Sequence, residues 1–178
     1  VATRDYIWVE GEGIDRYNYH TDTWTNVDDT IGLARVDGIR DIFDGRDYVW
    51  ILYYAWRRSF YDDRVPVAAS GYHKENGTWQ TFRGNPETVG NDFVSVRETD
   101  DSVWFASDDH GLSRYDKASS SWTVYTEDDG LLSNETNEDT LQVDEKYIWV
   151  GTREGISRYD FLADAWTNFT GRKTLANN

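Results

Sequence analysis

Four short apolar runs of one design punctuate this chain. DYIWV, DYVWI, DSVWF and KYIWV place tryptophan at Trp8, Trp50, Trp104 and Trp149. Each is followed by a second run, TWTNV, TWQTF, SWTVY or AWTNF, built on Trp24, Trp79, Trp122 and Trp166. Apolar and polar residues alternate over a few positions within the runs, and Gly, Asp, Asn and Thr fill the gaps. That pattern predicts short strands joined by tight turns rather than helices. Intervals between equivalent tryptophans are 42, 54 and 45 residues in the first set and 55, 43 and 44 in the second. One long interval in each set locates a single insertion, of about eleven residues, between Trp50 and Trp79.

Each unit reads as four strands. An inner run comes first, as in Gly38–Phe43, Phe93–Val96 and Leu141–Val143. The tryptophan-bearing run follows, then a third strand at Ile14–Tyr17, Leu112–Tyr115 and Ile156–Tyr159. The outer strand holds the second tryptophan: Trp24–Val27, Trp79–Phe82, Trp122–Tyr125 and Trp166–Phe169. A period of about 44 residues carrying four strands is the length of a propeller blade. The expected fold is therefore all-β, a propeller-type repeat of about four four-stranded blades in one domain over 1–178, with units near 1–37, 38–91, 92–138 and 139–178. The eight repeat tryptophans are expected to pack between neighbouring blades, each burying roughly 150–250 Å².

Aligned on the first tryptophan, Val1 takes the place of Phe43, Val96 or Val143, so the first blade lacks its inner strand. Three explanations stay open. The chain is a segment of a larger propeller, or a subunit whose missing strand a neighbour donates, or a closed four-bladed ring with a three-stranded first blade.

Two stretches carry a resemblance. Gly111-Leu112-Ser113-Arg114-Tyr115-Asp116, with Trp122-Thr123-Val124-Tyr125-Thr126 and Asp129-Gly130-Leu131-Leu132-Ser133-Asn134, resembles the two-component regulator propeller repeat. Tyr147-Ile148-Trp149-Val150-Gly151-Thr152, leading into Gly155-Ile156-Ser157-Arg158-Tyr159-Asp160, is similar to it as well. The first unit matches from Tyr6 to Trp24 and the second is degenerate. The resemblance implies blades of large periplasmic sensor propellers attached to histidine kinases.

Composition narrows the setting. Aromatics are 16% of the residues, and 33 acidic against 18 basic side chains leave a formal charge of −15. That balance argues against nucleic acid and anionic membrane, which need clustered Lys and Arg. No apolar run approaches the roughly 20 residues that span a bilayer. The chain has no Cys and no Met, which excludes disulfides, thiolate metal sites and cysteine nucleophiles and fits an extracellular or periplasmic setting. Three N-x-[ST] sequons, at Asn76, Asn134 and Asn168, are candidate glycosylation sites in predicted turns.

Candidate chemistry is sparse. His20, His73 and His110 fall at non-equivalent places and read as surface residues. Glu127-Asp128-Asp129-Gly130 is the candidate for calcium, through Asp128 and Asp129 beside a glycine turn. No nucleophile elbow, phosphate loop or dinucleotide motif occurs. The insertion is where the repeat stops explaining the residues. Tyr53, Tyr54, Trp56, Arg57, Arg58, Phe60 and Tyr61 combine aromatics with arginine, the composition of interface hot spots and of sugar-stacking surfaces.

The expectation is a non-enzymatic extracellular module that contacts other protein chains or glycans. Its setting would be a structural subunit of a surface assembly or fibre, self-assembling or beside neighbouring blades. The alternatives are a periplasmic ligand-sensing propeller and a carbohydrate-active enzyme.

Overall fold

The β-branched and aromatic runs become strands because their side chains fit a pleated, half-buried surface, and the Asp- and Gly-bearing gaps become turns. The computed structural model describes residues 1–10, 14–27, 39–54, 67–83 and 92–171. The chain divides into two units, Val1–Gly84 and Asn85–Asn178. The first holds a three-stranded sheet, β1 (Tyr6–Glu10), β2 (Ile14–Asn18) and β3 (Thr23–Asn26). It also holds a four-stranded sheet of β4 (Ile39–Asp44), β5 (Tyr48–Tyr53), β6 (Val67–His73) and β7 (Trp79–Arg83). The second unit has two four-stranded sheets. One is β8 (Phe93–Glu98), β9 (Ser102–Ser107), β10 (Gly111–Asp116) and β11 (Trp122–Tyr125). The other is β12 (Gln142–Val143), β13 (Tyr147–Thr152), β14 (Gly155–Asp160) and β15 (Ala165–Phe169). Every sheet is an antiparallel meander, the form of a propeller blade.

One register governs the sheets. The first tryptophan of a unit pairs across to an arginine in three of them: Trp8 with Arg16, Trp104 with Arg114 and Trp149 with Arg158. In the fourth, Trp50 faces Gly71. On its other side the tryptophan pairs with the residue seven positions earlier, Phe43, Arg97 or Gln142. Val1 holds that place in the first sheet: Trp8 N–H donates to its carbonyl at 2.8 Å, and its amino group donates to the Trp8 carbonyl at 2.7 Å. Alignment with Phe43 is thus met, while the partners in the other units are Arg97 and Gln142 rather than Val96 and Val143. The bulges at Ile39/Asp41 and Phe93/Ser95 lie beyond these pairs, further from the turn that sets the register.

Strand alternation gives each sheet two faces. The Trp face carries the first tryptophan and its cross-strand partner. The Tyr face carries the third-strand tyrosine and the second tryptophan. In both units the Trp face of the earlier sheet packs on the Tyr face of the later one. Trp8 and Ile14 meet Val49, Ile51, Tyr53 and Tyr72 in the first core. Trp104 and Leu112 meet Ile148, Val150 and Tyr159 in the second, with Leu131 and Leu141 filling the gap.

The tryptophans divide accordingly. Trp8, Trp50 and Trp104 are each 1% exposed. Trp79, Trp122, Trp149 and Trp166 are half-buried. Trp24 is 62% exposed, against the expectation that all eight are packing residues. It lies on the Tyr face of the first sheet, whereas the neighbouring sheet of that unit covers the opposite, Trp face.

Candidate functional site

That uncovered Tyr face is the candidate site. Tyr17 and Trp24 sit directly opposite each other on β2 and β3, with ring centroids 5.1 Å apart. Tyr19 meets Tyr17 edge-on at 5.9 Å. Val9 from β1 shares the face, and Val9, Tyr19 and Trp24 are among the few large apolar side chains exposed among the described residues. The rings are held in place rather than adventitiously splayed. Tyr17 Oη donates to the Asp22 carboxylate at 2.7 Å, and this bond raises the phenol's pKa above its ordinary value. Asn26 donates to Asp15 at 3.1 Å beside it. Asp22 itself takes a left-handed conformation, φ 53°, that turns the chain from β2 into β3.

The same pair recurs, covered, in the later sheet of each unit. Tyr72 and Trp79, 5.2 Å apart, receive Trp8, which lies 5.1 Å from Tyr72 and 6.0 Å from Trp79. Tyr159 and Trp166, 5.1 Å apart, receive Trp104 and Tyr125: Trp104 lies 6.0 Å from Tyr159, and Tyr125 lies 5.3 Å from Tyr159 and 5.8 Å from Trp166. Burial and the bond to Asp164 raise the Tyr159 phenol strongly. Where these Tyr faces carry Ser70 and Ser157, both fully buried, the first sheet carries Asp15. A carboxylate there leaves the first Tyr face acidic.

The Trp face of the last sheet is the counterpart. Arg158 lies over Tyr147, Trp149 and Phe169 at 4.5, 5.4 and 5.7 Å. Trp149 stacks on Phe169 at 5.8 Å, and all four side chains are half-buried. Arg16 makes the equivalent stack on Tyr6 and Trp8, and adds Tyr72 of the next sheet at 5.1 Å. Arg158 Nε is buried and lacks a hydrogen-bond partner among the described residues.

The insertion residues are only partly visible. Tyr53 is buried at 1% exposure in the first core, and so presents no free surface there. Tyr54 is 43% exposed, with Arg40 4.7 Å over its ring. Trp56, Arg57, Arg58, Phe60 and Tyr61 lie outside the described residues.

The sequons differ in their surroundings. Asn76 is exposed in the β6–β7 turn, where its Oδ1 accepts from Thr78 N–H and Oγ. Asn168 uses its amide nitrogen to donate to the Gly130 carbonyl at 3.0 Å. Asn134 accepts from Glu127 N–H at 2.9 Å, and Thr136 of that sequon is buried with its hydroxyl on the Ser107 carbonyl. The acidic turn at Glu127–Asp129 is a single turn of 3-10 helix. The Asp129 carboxylate accepts from Thr126 N–H and Oγ, and Glu127 accepts from Asn134 N–H. Two of its carboxylates thus serve the turn's own backbone. Among the described residues no three His, Cys, Asp or Glu side chains gather as metal ligands.

Sequence reasoning treated Trp24 as one more packing residue and missed Tyr17, Tyr19 and Val9 as a face. The available signal was Asp15, where the later units read Ser.

No protein family matches the chain by sequence, and no curated protein does. Solved structures match its fold. The extracellular domain described as belonging to the hybrid two component system BT3049 of B. thetaiotaomicron aligns over 93% of this chain and 22% of its own, at 17% identity and TM-score 0.62. The extracellular domain of the one component system BT4673 from the same organism aligns over 94% of this chain and 21% of its own, at 15% identity and TM-score 0.59. An auxiliary nutrient binding protein of Bacteroides thetaiotaomicron aligns over 93% and 38%, at 13% identity and TM-score 0.55. The chain therefore spans about a fifth of the length of the first two structures it matches. Among the described residues no helix is long and apolar enough to cross a membrane.

Proposed function

We propose that this chain is an extracellular β-propeller module that works by contact, without catalysing a reaction, as a structural part of a surface assembly. The observation that carries the reading is the uncovered Tyr face of the first sheet, with Trp24 62% exposed beside Tyr19 and Val9. Aromatic rings held rigid at low entropic cost are what protein interfaces and sugar-binding platforms are built from. An acidic chain of charge −15 directs such contacts away from polyanions.

A second reading is ligand sensing outside the cytoplasmic membrane. It is supported by the fold neighbours, which are described as extracellular domains of one- and two-component systems and a nutrient binding protein.

Purified chain offered a panel of bacterial polysaccharides and small sugars, followed by calorimetry and a reducing-end assay, separates these readings. The contact reading expects association, with a polysaccharide or between chains, and no new reducing ends. Saturable one-to-one binding of a small sugar or nutrient would favour the sensor instead. Steady release of new reducing ends would overturn both.

A further inference from the structure

We propose that Asn76-Gly77 is a self-modifying site, at which the asparagine converts to isoaspartate through a cyclic imide, and that the closed β6–β7 turn guards it. The proposal goes beyond the contact reading and does not depend on it. Asn76 is the only asparagine in the chain that precedes glycine. Glycine has no Cβ, so its amide nitrogen is open to approach by the preceding side chain. The other described asparagines precede Tyr19, Val27, Glu135, Glu138 and Phe169, whose side chains crowd that approach.

The reaction consumes only water. The Gly77 amide nitrogen gives up its proton and attacks Cγ of Asn76. A bond forms between the two, the Cγ–Nδ2 bond breaks, and Nδ2 leaves as ammonia with that proton. Water then opens the imide at either carbonyl. One opening gives aspartate; the other gives isoaspartate, whose main chain runs through Cγ and is one methylene longer.

Asn76, Gly77 and Thr78 are exposed, so water reaches them and ammonia can leave. The hydrogen bonds of the turn nevertheless hold both reacting groups. Gly77 N–H, on the nucleophile, donates to the His73 carbonyl at 2.9 Å, and His73 N–H donates to the Thr78 carbonyl at 2.8 Å. Asn76 Oδ1, on the electrophile, accepts from Thr78 N–H at 2.9 Å and from Thr78 Oγ at 2.6 Å. A bonded N–H is harder to deprotonate, and a carboxamide tied to Thr78 is not free to swing onto the Gly77 nitrogen. Gly77 itself is held at φ 71°. Reaction therefore waits for the turn to open, and its native rate follows the open fraction. The consequence is local and irreversible. The turn joins the strands that pair Tyr72 with Trp79, the seat of Trp8. A longer main chain there shifts Thr78 and loosens that pair.

The test ages the purified full chain near neutral pH, folded and in urea, and maps residues 73–79 by mass spectrometry with enzymatic methylation of isoaspartate. Isoaspartate at position 76 should form about tenfold or more slowly in the folded chain, the factor set by an opening cost of about 1.4 kcal/mol. Thr78→Val, at an exposed position, removes the Oγ bond; it should raise the folded rate several-fold and leave the urea rate unchanged. Freshly prepared Asn76→Asp keeps an acceptor for Thr78 and an unlengthened main chain, so its urea midpoint should match the wild type. The chain carrying isoaspartate at position 76 should unfold at lower urea. Equal rates in the folded and unfolded chain overturn the guard. A Thr78→Val chain that reacts no faster when folded does so too, and a slower one would assign the Thr78 donors to the oxyanion of the attack. No isoaspartate at position 76 even in urea overturns the site itself. None of these results bears on polysaccharide or chain association, so the contact reading is tested separately.

Discussion

At the scale of single residues, one repeat position decides how closely a tryptophan lies on its sheet. Three first tryptophans face arginine across the strand pair, and Trp50 faces Gly71. A Cβ built on Gly71 would stand 2.8 Å from the Trp50 ring. That ring is 1% exposed and has nowhere to retreat. Gly71→Ala should therefore destabilise by about 1–3 kcal/mol, the usual cost of overpacking, as read from the urea midpoint at unchanged slope. The turn carboxylates form a second group. Asp116 is held below the ordinary carboxylate pKa by hydrogen bonds from Ser119 and Ala118, and Asp144 by those from Lys146 and Tyr147. A depressed folded-state pKa adds stability above the unfolded value, about 3.9, and loses it as pH falls through the folded value. Stability should hold level from neutrality to about pH 4.5 and decline below that. In Asp116→Asn, which keeps the accepting oxygen but does not titrate, the acid decline should be shallower; an unchanged limb in thermal melts from pH 2 to 7 contradicts this role.

At the scale of strands and turns, most of the architecture was legible. Tryptophan spacing placed the strands correctly because each unit repeats one alternation and its turns repeat one chemistry. The residue two before the second tryptophan has a positive φ in every unit: Asp22, Gly77, Ser120 and Asp164 at 53°, 71°, 56° and 51°. Burial of the second tryptophans was not legible, because it depends on which face a neighbouring sheet covers. That is a property of which sheets pack together, which a repeat motif does not encode. The contrast is measurable. Trp104→Ala should cost about 3–5 kcal/mol, as a large core truncation does, whereas Trp24→Ala should stay within about 0.5–1 kcal/mol. Equilibrium urea unfolding of the two variants checks it, and equal losses would mean that Trp24 is covered in solution.

At the scale of the whole molecule, the two units each join two sheets by one rule, Trp face onto Tyr face. Trp24 on the first sheet is exposed, and Trp149 on the last is half-buried. The candidate site was correspondingly the least legible part of the chain. The sequence drew attention to the insertion, where aromatics cluster outside the repeat. The exposed aromatics of the first sheet sit instead on framework positions, indistinguishable by motif from their buried counterparts. The packing rule itself is the central claim, and a double-mutant cycle between Trp8 and Tyr72 tests it most directly. These rings belong to different sheets and lie 5.1 Å apart. With Trp8→Leu, Tyr72→Leu and the double variant unfolded in urea, the rule predicts a coupling of about 0.5–1.5 kcal/mol. A coupling indistinguishable from zero would contradict it.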